Sequence, residues 1–210
     1  RDSSVTGVQT CALPISLFAA VAAAQDWPQR PVRVIVPFAA GGNTDTIARI
    51  VSERLGRSFN QQFVVDNRAG AGGAIASEAA ARAMPDGYTL FVSSVSQVAI
   101  LPYVQKVGYD GMKDFAPISN IGTNPFVLGV HASLPVATVR EFVEHVKARP
   151  GQVNFASAGN GTISHLSAAL FAARAGISMA HIPHKGGAPA VADLRSEEHT
   201  SELQSHLNLV

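Results

Sequence analysis

The sequence predicts an α/β fold in two lobes, each a central sheet flanked by helices. Three observations carry that reading. Short β-branched runs alternate with longer stretches of helical periodicity. The run-to-helix junctions are glycine-rich loops. The strand, glycine loop and helix then recur in the second half of the chain, after a turn-rich interruption. With 210 residues, 47% of them hydrophobic and 15% charged, the chain is long enough to bury a core in one large or two small domains.

The first run, Val32 to Val36, ends at Pro37, which cannot donate to a sheet ladder and closes the strand. Pro37 to Gly42 is a small-residue loop. Asn43 or Thr44 is expected to cap the helix that follows, with Ile47, Ile50, Val51 and Leu55 as its buried face and Gly56 as its stop. Gln62 to Val65 reads as a second strand, Asn67 to Gly73 as a flexible turn, and Ile75 to Ala83 as an alanine-rich helix. Pro85-Asp86-Gly87 is a tight turn into a third strand, Tyr88 to Val92, whose end opens into Ser93 to Ser96.

Leu101-Pro102-Tyr103 and the turn-rich Gly108 to Asp114 interrupt the alternation, which places the first lobe at 25–103 and the second, incomplete, at 104–194. The second lobe is expected to begin with strands at Ala116 to Ile118 and Phe126 to His131. Thr138 and Glu141 then form a capping-box signature for a helix running to Ala148. Val153 to Ala156 is a strand leading into Ser157-Ala158-Gly159-Asn160-Gly161-Thr162. The next helix carries Leu166, Leu170 and Phe171 on one face and stops at Gly176. Ile177 to Pro183 is another strand, and His184 to Gly187 leads to Pro189 in the first turn of a last helix.

The two strand-to-helix loops carry the chemistry. The first turn of a helix has backbone N–H groups without intrahelical partners and partial positive charge from the macrodipole, so a carboxylate or phosphate is welcome there. Such a loop in each lobe suggests a cleft in which opposing helix N-termini hold a small anion. Neither G-x-G-x-x-G nor G-x-x-x-x-G-K-[ST] is present, so a dinucleotide or P-loop reading has little support. Sixteen basic residues against 15 acidic ones give a net charge of +1 and no footprint for nucleic acid. The single cysteine, Cys11, excludes an internal disulfide framework and a cysteine-rich metal site.

PFAAGGNTDTIAR, VVDNRAGAGGAIASEAAARAMPDGYTL, YDGMKDFAPIS, VNFASAGNGTISHLSAALF and HIPHKGGAPAVADL, taken in order over Pro28 to Leu194, resemble the substrate-binding proteins of tripartite tricarboxylate transporters, the Bug-type periplasmic receptors. The resemblance implies a two-lobed periplasmic binding protein of type II-like fold, in which the chain returns to the first lobe. Such a receptor would close on a small carboxylate (a di- or tricarboxylate, an aromatic acid or an acidic amino acid) and deliver it, as a monomer, to large and small membrane subunits. No cofactor and no catalysis are implied. Carried over by motif, Phe38, Gly41, Gly42, Asn43 and Asp45 form the first-lobe loop, with Ser93 and Ser94 on the loop beside it. Ser157, Gly159, Asn160, Gly161 and Thr162 face them from the second lobe, with Lys185 and Gly186 nearby. Phe38 would wall the apolar part of the ligand, and amides, hydroxyls and Asn groups would bind its carboxylate. Asp45 would either reinforce the helix start or pair with a ligand amine. His184 stands where the family pattern commonly has Tyr, which bears on ligand identity and on pH dependence.

Other readings of the same residues remain open at this point. Lobe closure would equally serve a ligand-sensing receptor that presents its loaded form to a membrane signalling protein. Ser164 and His165, or a loop serine, are the candidates for an acyl-transfer hydrolase, without a G-x-S-x-G elbow to support it. His165, His181 and His184 are the candidate metal ligands, with no acidic or cysteine partner evident in the sequence.

At the amino end, Leu17 to Ala24 with the following Gln25-Asp26 reads as a secretory h-region and an A-x-A cleavage site, which makes 16–24 a signal-peptide remnant and the location periplasmic. SSVTGVQTCALPI and RSEEHTSELQSHLNLV resemble translated sequencing-adapter read-through. Residues 1–15 and 195–210 are therefore expected to be foreign, and Cys11, His199 and His206 to carry no biology.

Overall fold

The computed structural model describes residues 27–196 and the backbone of residues 206–209. Cys11, the signal-like segment and His199 lie outside the described residues.

The first sheet is built from β1 (Val32–Val36), β2 (Phe63–Asn67) and β3 (Thr89–Phe91), in the order β2-β1-β3 with both pairings parallel. Val34 stands opposite Val65 on one side and Leu90 on the other. Because β1 is central, the connection through α1 (Asn43–Phe59) runs to one side, and the one through α2 (Ala74–Ala81) returns to the other. The chain therefore reverses its strand order between β1 and β3, the place in an open α/β sheet where a crevice forms beyond the carboxyl ends of the strands. Val32, Val34, Val36, Phe63 and Ala48 form the core of this lobe, with Leu55, Val65, Tyr88, Leu90 and Val92 packed around them.

Two details of α1 differ from expectation. Its buried centre is Asp45, Ala48 and Ser52, while Ile50 is 55% exposed. The small side chain of Ala48 lets the helix axis approach the sheet, which leaves Ile47, Val51 and Leu55 half-buried on the flank. The helix also continues through Gly56 to Phe59. Asn60, at φ 49°, takes the left-handed position that ends it and returns its N–H to the Gly56 carbonyl, a conformation Asn tolerates because its short polar side chain can bond locally. The cap at the other end is Gly42, with no side-chain acceptor, so neither Asn43 nor Thr44 serves as the cap.

The link between the lobes is more ordered than its turn-rich sequence suggests. Ser96–Ile100 forms a single π-helical turn that runs into α3 (Leu101–Val104). Beyond it, Phe115 packs against Phe91 and Tyr109, which ties the crossover back to β3. The strand expected at Ala116 to Ile118 does not form. Pro117 interrupts any ladder there, and Ile118 stays 82% exposed.

The second sheet has the order β4-β7-β5-β6, from β4 (Leu128–Val130), β5 (Asn154–Ser157), β6 (Ala180–Pro183) and β7 (His206–Leu209). β5 pairs in parallel with both β6 and β7, and β4 closes the edge antiparallel to β7. The carboxyl-terminal stretch set aside in the sequence thus supplies Arg195, the last residue of α6 (Gly187–Arg195), and the backbone of β7. α4 (Val139–Lys147) is capped as its sequence predicts: the Thr138 hydroxyl accepts from the Glu141 N–H, and Glu141 accepts from Ala137. α5 (Ile163–Ala175) stops at Gly176, at φ 63°. Ser164 and Ala168 are its buried positions, and Leu170 is 57% exposed. Phe142, Val146, Val153, Phe155 and Ala168 form a second core that shares no residue with the first.

Phe142 is 2% exposed and stacks on Phe171 at 6.3 Å. Phe142→Ala is expected to cost about 3–5 kcal/mol, the usual toll of deleting a buried aromatic ring, read as a fall in the urea midpoint.

Candidate functional site

Every glycine loop of interest leaves the carboxyl end of a parallel strand, and the structure brings the loops of the two sheets together. Ala39 N–H donates to the Lys185 carbonyl at 2.9 Å, joining the β1–α1 loop to the β6–α6 loop. A Cβ placed on Gly186 (φ +138°) would lie 3.0 Å from Phe38 Cβ, and one on Gly42 would lie 3.5 Å from the Ala188 amide nitrogen. The first turns of α1 and α6 therefore converge on one point. Between the β2–α2 loop and the β5–α5 loop the approach is closer. A Cβ on Gly72 would come within 2.3 Å of the Asn160 carbonyl oxygen, and one on Gly159 within 3.2 Å of Gly72 Cα. Only backbone without side chains fits there.

Asp45 organises the first loop. It is 2% exposed and accepts from Gly41 N–H at 2.8 Å, Arg49 Nε at 2.9 Å and Asn67 Nδ2 at 2.9 Å. Burial favours its protonated form, but the bonds from Arg49, Gly41 and Asn67 outweigh that and hold its carboxyl below the ordinary value. These contacts tie Asp45 to its own loop, to Arg49 one turn along α1 and to Asn67 of β2. Asn67 also donates to the Phe38 carbonyl at 3.0 Å and fixes the loop where Phe38, 9% exposed, turns inward.

In the second lobe, Thr162 caps α5: its hydroxyl donates to the Gly159 carbonyl at 2.7 Å and accepts from His165 N–H at 3.5 Å. Ser157, 1% exposed, bonds to Gly159 and lies 2.7 Å from His181 Nε2. Ser94 bonds to Gln97 Oε1 at 2.8 Å. The side chains of Asp45, Ser94, Ser157 and Thr162 therefore hold their own loops together. Those of Asn43, Ser93, Asn160 and Lys185 are exposed, with no polar partner among the described residues. Gly41, Gly42, Gly159, Gly161 and Gly186 contribute backbone.

The opposing helix starts are not the pair the sequence suggests. Around α5, Gly161 N–H donates to His165 Nδ1 at 3.2 Å, and Ile163 N–H donates to Ser96 Oγ, from the other lobe, at 2.9 Å. Protein groups therefore take amides that the motif alone would offer to a ligand. Ser96 and Gln97, both fully buried, went unnoticed in the sequence because a serine and a glutamine after a strand carry no periodic signal.

Ser164 and His165 do not pair with each other. Ser164 Oγ accepts from Ala158 N–H and bonds to Thr162, while His165 stacks on His181 with ring centroids 3.9 Å apart. His184 does have an acidic neighbour, Asp193, at 3.4 Å. No three His, Cys, Asp or Glu side chains among the described residues are grouped to hold a metal ion. A separate open groove of about 430 Å³ lies along β1 and β2, lined by Pro31, Val32, Arg33, Val64, Val65 and Asp66. Asp66 already meets Arg33 and Arg68 there, and none of the glycine loops reaches it.

Residues 47–209 match the family described as TctC, tripartite tricarboxylate transporter family receptor. The chain belongs to this family. Its relatives include protein BugT of Bordetella pertussis, 42% identical over 178 residues that cover 84% of this chain and 55% of BugT. The chain spans about half the length of the curated relatives it matches. Among solved structures, an R. palustris protein with adipate superposes at a TM-score of 0.81 with 36% identity, covering 88% of this chain and 60% of that one. MatC from Rhodopseudomonas palustris with bound malate gives 0.74 at 34% identity, with coverage of 80% and 57%. The periplasmic binding protein BugD gives 0.68 at 34% identity, with coverage of 80% and 56%. The fold of this TctC-family chain is that of a periplasmic binding protein, and the family is one of receptors.

The TctC-family loop geometry generates two predictions. Asp45→Asn removes the charge that Arg49 meets and one acceptor of the Gly41 loop, and is expected to lower stability by about 1–3 kcal/mol in urea melts. The second concerns the stacked imidazoles. Burial, with His165 and His184 adding to it, lowers the His181 pKa from 6.5 to about 4. A base whose pKa is lower in the folded chain binds fewer protons there than in the unfolded chain. Its stabilisation is present above about pH 6.5 and is lost as the pH falls towards 4. Urea midpoints measured across that window should fall with pH, and His181→Gln should flatten the fall.

Proposed function

We propose that this protein is an extracytoplasmic solute receptor that captures a small carboxylate between its two lobes and hands it to the membrane subunits of a tripartite tricarboxylate transporter. The observation that carries the reading is the convergence of α1 and α6, whose first turns meet where Gly42 faces the Ala188 amide. Two macrodipoles and two sets of N-terminal N–H groups then point at the same volume, where a carboxylate is stabilised without any dedicated anion motif. Lys185, exposed at that junction, adds a full positive charge. Asp45 does not oppose it, because its charge is matched by Arg49.

In this reading the side chains of Asn43, Ser93, Asn160 and Lys185 contact the ligand together with the amides of the glycine loops, and Phe38 limits the pocket on its apolar side. The neighbours bound to adipate and malate support a dicarboxylate as the first ligand class to try. A periplasmic location agrees with the family and with the signal-like Leu17 to Ala24.

The test is a thermal-shift screen with malate, adipate, citrate, benzoate and glutamate. A ligand at one hundred times its dissociation constant stabilises the fold by about 2.7 kcal/mol, which the screen resolves. A shift with one carboxylate class is expected. Lys185→Met should then weaken that ligand roughly tenfold, the worth of a charge-assisted hydrogen bond. No shift with any carboxylate would overturn the reading.

A further inference from the structure

The buried polar pair that the ligand site leaves unexplained is Ser96 and Gln97, both at 0% exposure in the seam between the lobes. Gln97 belongs to the first lobe. Its Oε1 accepts from the N–H and hydroxyl of Ser94, and its Nε2 donates to the Gly72 carbonyl at 2.8 Å. Tyr109 donates its hydroxyl to the Gln97 carbonyl at 2.6 Å. The π-helical turn of Ser96–Ile100 closes through Leu101 N–H to the Ser96 carbonyl. Its wide turn brings Ser96 and Leu101 onto one side, and both meet the start of α5. Ser96 Oγ accepts Ile163 N–H at 2.9 Å, across 67 residues of sequence. Leu101 and Val104 press on Gly161, where a Cβ would approach them to 2.8 and 2.9 Å. Beside them Gly72, held by Gln97, lies against Gly159 and the Asn160 carbonyl.

We infer that Ser96 is a positioning residue, the polar centre of a latch that holds the second-lobe loop Ser157 to Thr162 against the first lobe through its bond to Ile163 N–H. The inference rests on the receptor reading only for its consequence, which is that the latch sets the balance between closed and open lobes and so the affinity for a carboxylate that binds the closed form. A ligand whose competent form is a fraction of the population binds more weakly by that fraction. Ser96 opens the π turn five residues after β3 ends at Phe91.

Two substitutions remove the same bond from opposite sides. Ser96→Ala deletes the acceptor. Ile163→Pro deletes the donor at the first position of α5, where proline is well tolerated, and Thr162 before it already has the extended backbone (φ −74°, ψ 160°) that a residue preceding proline requires. Affinity for malate and adipate is measured by calorimetry. Lobe separation is read from spin labels at Ser58→Cys and Gln152→Cys, exposed positions one in each lobe, with Cys11 replaced by Ser. Each single variant is expected to weaken binding roughly fivefold, the factor that one hydrogen bond of ordinary net strength represents, and to populate longer label distances. The double variant should be no worse than either single one, because the two groups serve one interaction.

Unchanged affinity and unchanged distances in both single variants would overturn the latch, and so would fully additive effects in the double variant. If wild-type protein binds neither dicarboxylate, the receptor reading has failed in its proposed ligand class, and the label distances alone decide the latch.

Discussion

The loops at the carboxyl ends of the parallel strands of the two sheets come within contact distance of each other, and in this protein glycines make that approach possible. Gly72 against Asn160 and Gly159, Gly161 against Leu101 and Val104, and Gly186 against Phe38 are positions where a single methyl group would collide or force a neighbour to move. All four glycines have positive φ, so geometry and space demand the same residue. The sheets, their two separate cores and the order of the helices follow from ordinary packing. The position of one lobe against the other depends on these glycines.

Electrostatics in the cleft follow the same economy. The one buried carboxylate of the first loop, Asp45, would repel an anionic ligand if it stood alone. Arg49, Asn67 and the Gly41 amide surround it, so its charge serves to fix the loop. The imidazoles beneath the second loop behave in a complementary way. His165 must keep Nδ1 unprotonated to accept from Gly161 N–H, and His181 stacks against both it and Phe155. Burial favours the neutral form of both bases, lowering each pKa from its ordinary value. The second loop thus rests on groups whose hydrogen-bond roles hold only while they are uncharged.

Much of the fold was legible because it rests on local signals. Val32–Val36 with its terminal Pro37, the Thr138 and Glu141 capping box, and Gly176 after α5 are each fixed by chemistry within a few residues. Where the sequence misled, a tertiary or backbone demand overrode the local one. Ile50 and Leu170 fit the helical period, but the helices dock through Ala48 and Ala168, which permit closer approach. Pro117 stopped a strand that its neighbours favoured. The candidate loops were visible from their glycines, whereas the division of labour inside them was not. Nothing in the spacing of Ser94, Ser96 and Gln97 announces that one bonds the Gln97 amide, one crosses the seam and one braces Gly72.

The two loops that look alike in sequence, AAGGNTD after β1 and ASAGNGTIS after β5, differ in their cap, and that difference assigns their roles. α1 begins at Gly42, which has no side chain to take a first-turn N–H, so no cap side chain satisfies that turn. α5 begins at Thr162, whose hydroxyl takes His165 N–H, and the adjoining Gly161 and Ile163 amides are taken by His165 and Ser96. A helix start satisfied in this way is a structural joint, whereas one without a side-chain cap keeps first-turn donors of the kind that suit an anion. The helix start that meets α1 belongs to α6, whose cap is again a glycine, Gly186, without a side-chain bond. Glycine caps on α1 and α6 and a threonine cap on α5 thus distinguish two junctions of the lobes, one with helix starts that no side chain caps and one whose amides are taken by protein groups.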